Sequence, residues 1–512
     1  MTFPYLSVLT VAPLVGAVAV ACVPKEKPQL AKSLALAWSL GVFVLTVVMW
    51  TQFDTGGARM QFRESYTWIP AWGTRFTLAT DGIALVMLAL IALLVPIVIL
   101  ASWHDAEESK RSVPTYFALL LALECTMIGV FAAADIFLFY VFFEVMLVPM
   151  YFLIGSYGGQ RRQYAAVKFF LYSLVGGLFM LAAVIGLWVV GRSQLGHATF
   201  DWQELTKLNM ATGTERWLFL GFFLAFAIKA PFFPFHTWLP DAGGAAPAGA
   251  AALLVGVLDK VGTFGILRYC LPLFPHAAKY FAPLGLALAL VGVVYGALLA
   301  VGQNDLKRLV SYTSVAHFGF IGIGIFAFTT QAGTGSVLYM LNHGLATGLL
   351  FLVVGMLVSR RGSALVSDFG GAGKLVPVLA GVFFIAGLAS LAMPGTSPFV
   401  SEFLVLIGTF TVNKTVGVIA TAGIVLAAAY VLWMVQRTTQ GTLNPALEKV
   451  DRMRKDISLR EVVVVAPLIA LILVLGFYPK PVIDVINPAV KATLSDIGKQ
   501  DPNPTVAQGG GK

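Results

Sequence analysis

The chain has 512 residues, 58% of them hydrophobic and 12% charged, a balance that excludes a soluble globular domain and points to a protein whose solvent is lipid. The formal charge of +9 is not a nucleic-acid footprint, because the basic residues fall between apolar stretches and mark topology. Cys22, Cys125 and Cys270 lie far apart in apolar surroundings, with neither a disulfide framework nor a metal-cluster spacing.

Stretches of about 20 apolar residues, enough to cross the hydrocarbon layer as helices, follow one another almost end to end. They are continuous, not alternating, so they read as helices and not barrel strands. The expectation is an all-α polytopic membrane protein of about 14 transmembrane helices. The first, 5–22, has Lys25 and Lys27 after it and no basic residue before it, the pattern of a membrane helix and not of a cleaved signal. Spans at 33–51 and 82–103 follow, separated by a loop, 52–81, long enough to order locally. Five spans come next, at 113–133, 135–155, 164–190, 216–240 and 246–270, and then five more, at 280–302, 309–328, 335–358, 374–411 and 415–436. A last span, 461–479, precedes a polar, Gly-rich tail from Asp501 to Lys512 that is expected to be disordered. The corresponding units are 1–112, 113–275, 276–440 and 441–512. With the N-terminus outside, the inner loops hold 19 of the 34 Lys and Arg residues, so both termini are expected to face outward.

Spans seven and twelve are interrupted, by Lys229-Ala-Pro-Phe-Phe-Pro-Phe-His-Thr-Trp-Leu-Pro-Asp241 and by Met393-Pro-Gly-Thr-Ser-Pro-Phe-Val-Ser-Glu402. Proline removes a backbone donor, so Pro231, Pro234, Pro394 and Pro398 are expected to break these helices. Broken helices at membrane depth survive where they are buried in protein or line a watery cavity, and a pair of them five spans apart points to inverted repeats. The offsets agree: Glu144 to His317 and Lys229 to Glu402 are each 173 residues.

At 1.5 Å per residue, Glu144 lies roughly 13 Å below Asp135, Lys229 about 18 Å into its span, Lys260 about 12 Å from Arg268 and His317 about 13 Å from Arg308. His343 is at similar depth and Glu402 sits just after the second break. Each midplane charge costs about 2.5–3.5 kcal/mol on insertion scales, so the set requires a compensating reason. A structural ion pair between Glu144 and Lys229 is the bland one. The functional one is a proton site, in which a neighbouring carboxylate favours the ammonium and desolvation favours the amine. Lys260 follows Asp259, but successive helical positions point about 100° apart, so Asp259 is not its automatic partner. A histidine can simply bond two helices, yet His317 and His343 sit at the depth of the lysines, where imidazole can relay protons. Glu124 on span four is as readily a packed, protonated carboxyl as a functional one. Asp135 is expected to cap a helix, and His236 and Asp241 to satisfy backbone or conduct within the seventh span. Gly370-Gly-Ala-Gly-Lys374 lacks the leading glycine and the Ser/Thr of a phosphate loop, since Leu375 follows the lysine.

Phe142-Phe-Glu144-Val-Met-Leu-Val-Pro149-Met-Tyr, Phe235-His-Thr-Trp-Leu-Pro-Asp241, Asp305-Leu-Lys-Arg308 and Tyr312-Thr-Ser-Val-Ala-His317 resemble the antiporter-like membrane subunits of bacterial respiratory complex I, over nearly the whole chain. Within that family the chain is most similar to the M branch, because Glu402 stands where the L and N branches carry lysine and no long lateral helix follows span fourteen. The resemblance implies two inverted five-helix bundles, each with a half-channel, in a multi-pass protein of the plasma membrane. It makes Glu144 and Lys229 the paired acid and lysine, Lys260 the central lysine, His317 and His343 the relay and Glu402 the exit acid, while Glu124 stays unassigned. It further implies that flavin, iron–sulfur clusters and quinone belong to partner subunits, with no cofactor or metal in this chain, and that L- and N-type subunits and lipid surround it. The alternative is an antiporter-like subunit of a multi-subunit cation/proton antiporter, which shares the Glu and Lys pair and the broken helices.

Overall fold

The computed structural model describes residues 3–109 and 111–502. Lys110 and the polar tail from residue 503, with Lys512, lie outside them. Two helices, α1 (Tyr5–Ala21) and α2 (Pro28–Thr51), precede α3 (Gly82–Ala101), α4 (Val113–Ala132), α5 (Ile136–Tyr157) and α6 (Arg162–Leu195). The seventh unit is α7 (Thr212–Lys229), a break, and the short α8 (Leu239–Ala245), followed by α9 (Ala248–Leu273). Then come α10 (Pro275–Val301), α11 (Leu306–Phe326), α12 (Thr330–Arg361), α13 (Pro377–Ser390), α14 (Ser397–Val412), α15 (Lys414–Thr439), α16 (Leu459–Phe477) and α17 (Lys480–Asp496). Among the described residues 11 helices are long and apolar enough to cross a membrane, and α1, α13 and α14 are shorter apolar helices.

Helix starts are set by side chains that accept orphan backbone N–H groups. Asp81 caps α3 and Asp305 caps α11. As expected, Asp135 caps α5; it also holds Thr74 Oγ1 and the Arg75 N–H. The loops expected outside meet one another, through Arg63 and Asp201 (2.5 Å), Arg268 and Asp81 (2.6 Å), and Arg59 and Asp496 (2.6 Å). At the opposite helix ends Lys32 pairs with Glu107 (2.6 Å), Lys307 Nζ reaches the Ala246 carbonyl (2.8 Å), and Arg360 pairs with Glu461 (2.7 Å). The two layers of loops therefore alternate in the order expected of successive spans.

Burial sorts the helices into an interior and a rim. The best apolar window of α9 is 100% buried and that of α11 94%, against 28% for α2 and 39% for α6, α10 and α15. The rim helices turn Val18, Val44, Leu178, Leu298 and Val425 outward, as lipid-facing helices do. The interior is α3, α9, α11 and α12, which carry Lys260, His317 and His343.

The structure corrects the all-α expectation at one place. Residues 61–80 form an antiparallel hairpin, Gln61–Ile69 with Thr74–Thr80, in which Tyr66 faces Phe76 and Thr67 faces Arg75. Aromatic and β-branched residues favour strands, and Gly73 (φ 71°) makes the turn where a Cβ would strike the Ala198 carbonyl. A second addition is α17, which fills residues between the last span and the tail to which the sequence assigns no element. Its Val482, Val485, Ile486, Ala489 and Val490 are buried at the three- and four-residue spacing of one helix face, and the helix packs across the ends of α3 and α12.

A candidate proton-transfer chain in the membrane interior

The first break follows Lys229. Pro231 and Pro234 lie within it and provide no N–H, and the Phe232 N–H bonds back to Ala227, one residue beyond its helical partner. The Ile228 carbonyl, freed by that shift, is taken by Trp238 Nε1 at 3.0 Å. The second break lies between α13 and α14. Pro394 falls within it, beside Ala392 (φ 57°) and Gly395 (φ 92°), and Thr396 Oγ1 holds the Met393 carbonyl. Pro398 does not break a helix but occupies the first turn of α14, where its missing N–H is no loss.

A third irregularity has no proline. Helix α9 contains two π-helical segments, Leu254–Leu258 and Ile266–Cys270, on either side of Lys260–Gly265. Asp259 N–H bonds to the Leu254 carbonyl, five residues back. Such insertions rotate the following side chains relative to a regular helix, and Lys260 is thereby aimed at α12.

Lys260 is fully buried. Its Nζ donates to the Val255 carbonyl at 2.5 Å and lies 2.7 Å from His343 Nδ1. The His343 ring stands 5.1 Å from that of His317, edge to face. Tyr339, one helical turn before His343, has its ring 5.9 Å from His317 and donates its hydroxyl to Glu402 Oε2 at 3.0 Å. Asn342 Nδ2 donates to the Ser397 carbonyl at 2.8 Å, tying α12 to the start of α14. Lys260, His343, His317 and Glu402 are thus brought together, with Tyr339 as the member that the sequence reading missed. Its signal was available: Tyr339 and His343 are four apart and share a helix face.

Glu144 and Lys229 do not form the direct ion pair expected of them. Lys229 Nζ and Glu144 Oε1 are each buried without a hydrogen-bond partner. The Lys229 ammonium sits between the faces of Phe143 (5.4 Å) and Phe169 (5.3 Å), a cation–π environment that replaces part of its solvation. The Glu144 carboxylate leans against α6, where a Cβ on Gly177 would coincide with its Oε1.

The remaining candidates fall elsewhere. Asp241 accepts from Lys168 (2.7 Å) and Arg308 (2.5 Å), a structural triad joining α6, α8 and α11. His236 is buried among the rings of Phe233, Tyr295 and Tyr312, with Nδ1 unpartnered. Glu124 and Asp259 are fully buried, and neither has a partner on either carboxylate oxygen. Among the described residues no three His, Cys, Asp or Glu side chains converge as metal ligands, and the cysteines are unpaired.

Residues 133–427 match the family described as NADH:quinone oxidoreductase/Mrp antiporter, transmembrane. The chain belongs to this family. It is 47% identical to NADH-quinone oxidoreductase subunit M of Mycobacterium tuberculosis, over 98% of this chain and 96% of that one. Its structure is similar to a chain of respiratory complex I from Thermus thermophilus, with a TM-score of 0.86 and 30% identity, covering 96% of this chain and 100% of that one. A chain of the Mrp complex from Dietzia shares the fold, with a TM-score of 0.82 at 20% identity over 97% and 100% of the two chains. The chain is accordingly a member of the complex I antiporter-like group, built of apolar helices and similar over its length to subunit M.

Proposed function

We propose that this chain is the proton-translocating membrane-arm subunit of an NADH:quinone oxidoreductase, moving protons along Glu144, Lys229, Lys260, His343, His317 and Glu402. The observation that carries it is the 2.7 Å contact between Lys260 Nζ and His343 Nδ1. An ammonium and an imidazole buried together at mid-membrane depth add nothing to stability that an apolar pair would not supply more cheaply. A lysine that alternates between ammonium and amine gives the histidine a proton donor, and His317 extends the path toward Tyr339 and Glu402.

In this reading α1 to α16, with α7 and α8 as one span and α13 and α14 as another, make 14 transmembrane units. Units 113–275 and 276–440 are the inverted repeats, and both termini face outward from a bacterial plasma membrane. Flavin, iron–sulfur clusters and quinone reside in partner subunits, and L- and N-type subunits flank the chain. The test is Lys260→Met, which preserves length and removes the charge. Pumping is expected to vanish in membranes with normal amounts of assembled complex, whereas normal proton uptake coupled to NADH oxidation would refute the reading.

A second reading, a subunit of a multi-subunit cation/proton antiporter, is favoured by the family's description and by the shared fold. Co-purification decides between them: flavin- and quinone-containing partners support the first, and their absence from an intact assembly that exchanges cations supports the second.

A further inference from the structure

Asp259 is a buried acid for which neither the fold nor the path above has a use. It is fully buried, its two carboxylate oxygens have no hydrogen-bond partner, and it stands at the end of the first π-helical segment of α9. An unpaired carboxylate in such a place is costly unless it is neutralised by a proton or by a mobile partner. Its neighbours define its direction. On one side of α9, Gly256 packs against Gly344 of α12, and Lys260, four residues on, faces His343. On another side, Gly262 packs so closely against α7 that a Cβ would press on the Phe226 carbonyl and the Ala230 N–H, the residues that bracket Lys229. Asp259, three residues before Gly262, shares that side.

We infer that Asp259 is a proton-transfer residue standing between Lys229 and Lys260, the link that joins the first broken helix to the central lysine. The inference rests on the reading of both lysines as proton carriers. The step is a pair of proton transfers. The Lys229 ammonium gives a proton to the Asp259 carboxylate, an N–H bond breaking as an O–H bond forms, which leaves an amine and a carboxylic acid. The acid then protonates the Lys260 amine and returns to carboxylate, and the new ammonium faces His343 Nδ1. Neither carboxylate oxygen is committed to a protein donor, so both are available to accept.

The experiment is Asp259→Asn in the assembled complex, with Asp259→Glu, Lys229→Met and Lys260→Met prepared alongside. Asparagine keeps the shape and cannot carry the proton as an acid. Proton uptake and NADH:quinone turnover are expected to fall at least about tenfold, as when a proton-transfer group is lost. Assembly and thermal stability are expected to hold or rise, because an unpaired buried carboxylate has been removed. Glutamate is expected to retain a substantial part of both activities. Full pumping by Asp259→Asn overturns the inference. So does failure of Asp259→Asn to assemble, because a carboxylate without partners has no structural bond to lose, and so does an equal loss with glutamate. If Lys229→Met and Lys260→Met pump normally, the path itself fails; if they are inactive while Asp259→Asn pumps, only the Asp259 step fails.

Discussion

Gly177 offers a way to move the Glu144 carboxylate without altering the residue itself. A Cβ placed on Gly177 would coincide with Glu144 Oε1, so Gly177→Ala forces the carboxylate roughly 2 Å aside to restore ordinary van der Waals separation. The helix itself gains, since alanine is favoured over glycine by about 1 kcal/mol in a helix interior, while overpacking costs about 1–3 kcal/mol. Net stability therefore changes by no more than about 2 kcal/mol, and the complex is expected to assemble. Function is more sensitive, because a misplacement of about 1 Å in a reacting group can cost on the order of a hundredfold. Turnover and proton uptake in membranes of matched complex content are expected to fall by about ten- to a hundredfold. Glu144→Asp shortens the side chain by one methylene and withdraws the carboxylate from the added methyl. The double variant is thus expected to match Glu144→Asp alone, a non-additive outcome that marks a direct contact. Gly176→Ala, whose Cβ meets Ala225 and Ile228 of the Lys229 helix at 3.1 Å, should show no such rescue. Full activity of Gly177→Ala, or a defect that aspartate does not relieve, would refute the reasoning.

Tyr339→Phe keeps the ring beside His317 and deletes the donor to Glu402, a bond to a carboxylate worth about 1.5–3 kcal/mol; pumping should drop about tenfold with assembly intact, and unchanged proton uptake would show that the hydroxyl is idle. Glu144→Gln removes the acid without changing its size, so pumping should fall steeply while Glu144→Asp retains part of it, and normal pumping by the glutamine variant would exclude Glu144 from the path. Arg268→Leu leaves Asp81, 1% exposed, as an uncompensated charge at the cap of α3, and should cost about 3–5 kcal/mol, read as loss of the subunit from membranes or a lowered inactivation temperature. Hydrogen bonds from Lys32 and then His104 hold the Glu107 carboxyl below its usual range. A depressed acid stabilises the fold above its unfolded value, and that contribution is lost as pH falls through the lowered one. Glu107 is 39% exposed, so water screens the pair, and Glu107→Gln should cost no more than about 1 kcal/mol at neutral pH, a thermal deficit that should close on acidification.

The broken helices were legible because proline and glycine act on their own backbone: Pro231, Pro234 and Pro394 fall in gaps wherever the chain folds. Pro398 shows the limit of that reasoning, since a proline can also begin a helix, and the sequence does not say which until the preceding turn is seen. Helix α17 escaped because its apolar residues are spaced as a stripe and never accumulate to a span, so a search for continuous apolar stretches passes over it. The two π-helical segments of α9 carry no such mark, since no proline falls within residues 254–270. The hairpin at 61–80 lies in a loop whose length alone promises local order, while its strand signal is the aromatic and β-branched content of Tyr66, Thr67, Trp68, Phe76 and Thr77.

For the site, depth was readable and direction was not. Counting residues from a span end places Lys260, His317 and His343 at one level, and the 2.7 Å and 5.1 Å contacts among them follow once α9, α11 and α12 are neighbours. Azimuth depends on helix packing, and there the sequence was misleading: the acid and lysine taken as a pair, Glu144 and Lys229, point to different neighbours, one to Gly177 and the other to Phe143 and Phe169. Side chains that titrate near neutral pH do not include Tyr339, whose place on the His343 face is readable from spacing but whose bond to Glu402 only three-dimensional contact reveals. Charge cost explains why these positions are worth reading closely. In the proposed path no one of the ammonium, the two imidazoles and the protonatable acid has to stay charged, which lowers the cost of holding them in an apolar interior. The unpartnered atoms of Lys229, Glu144 and Asp259 fit that condition, because a group held in a fixed ion pair is a poor carrier of anything that has to leave it.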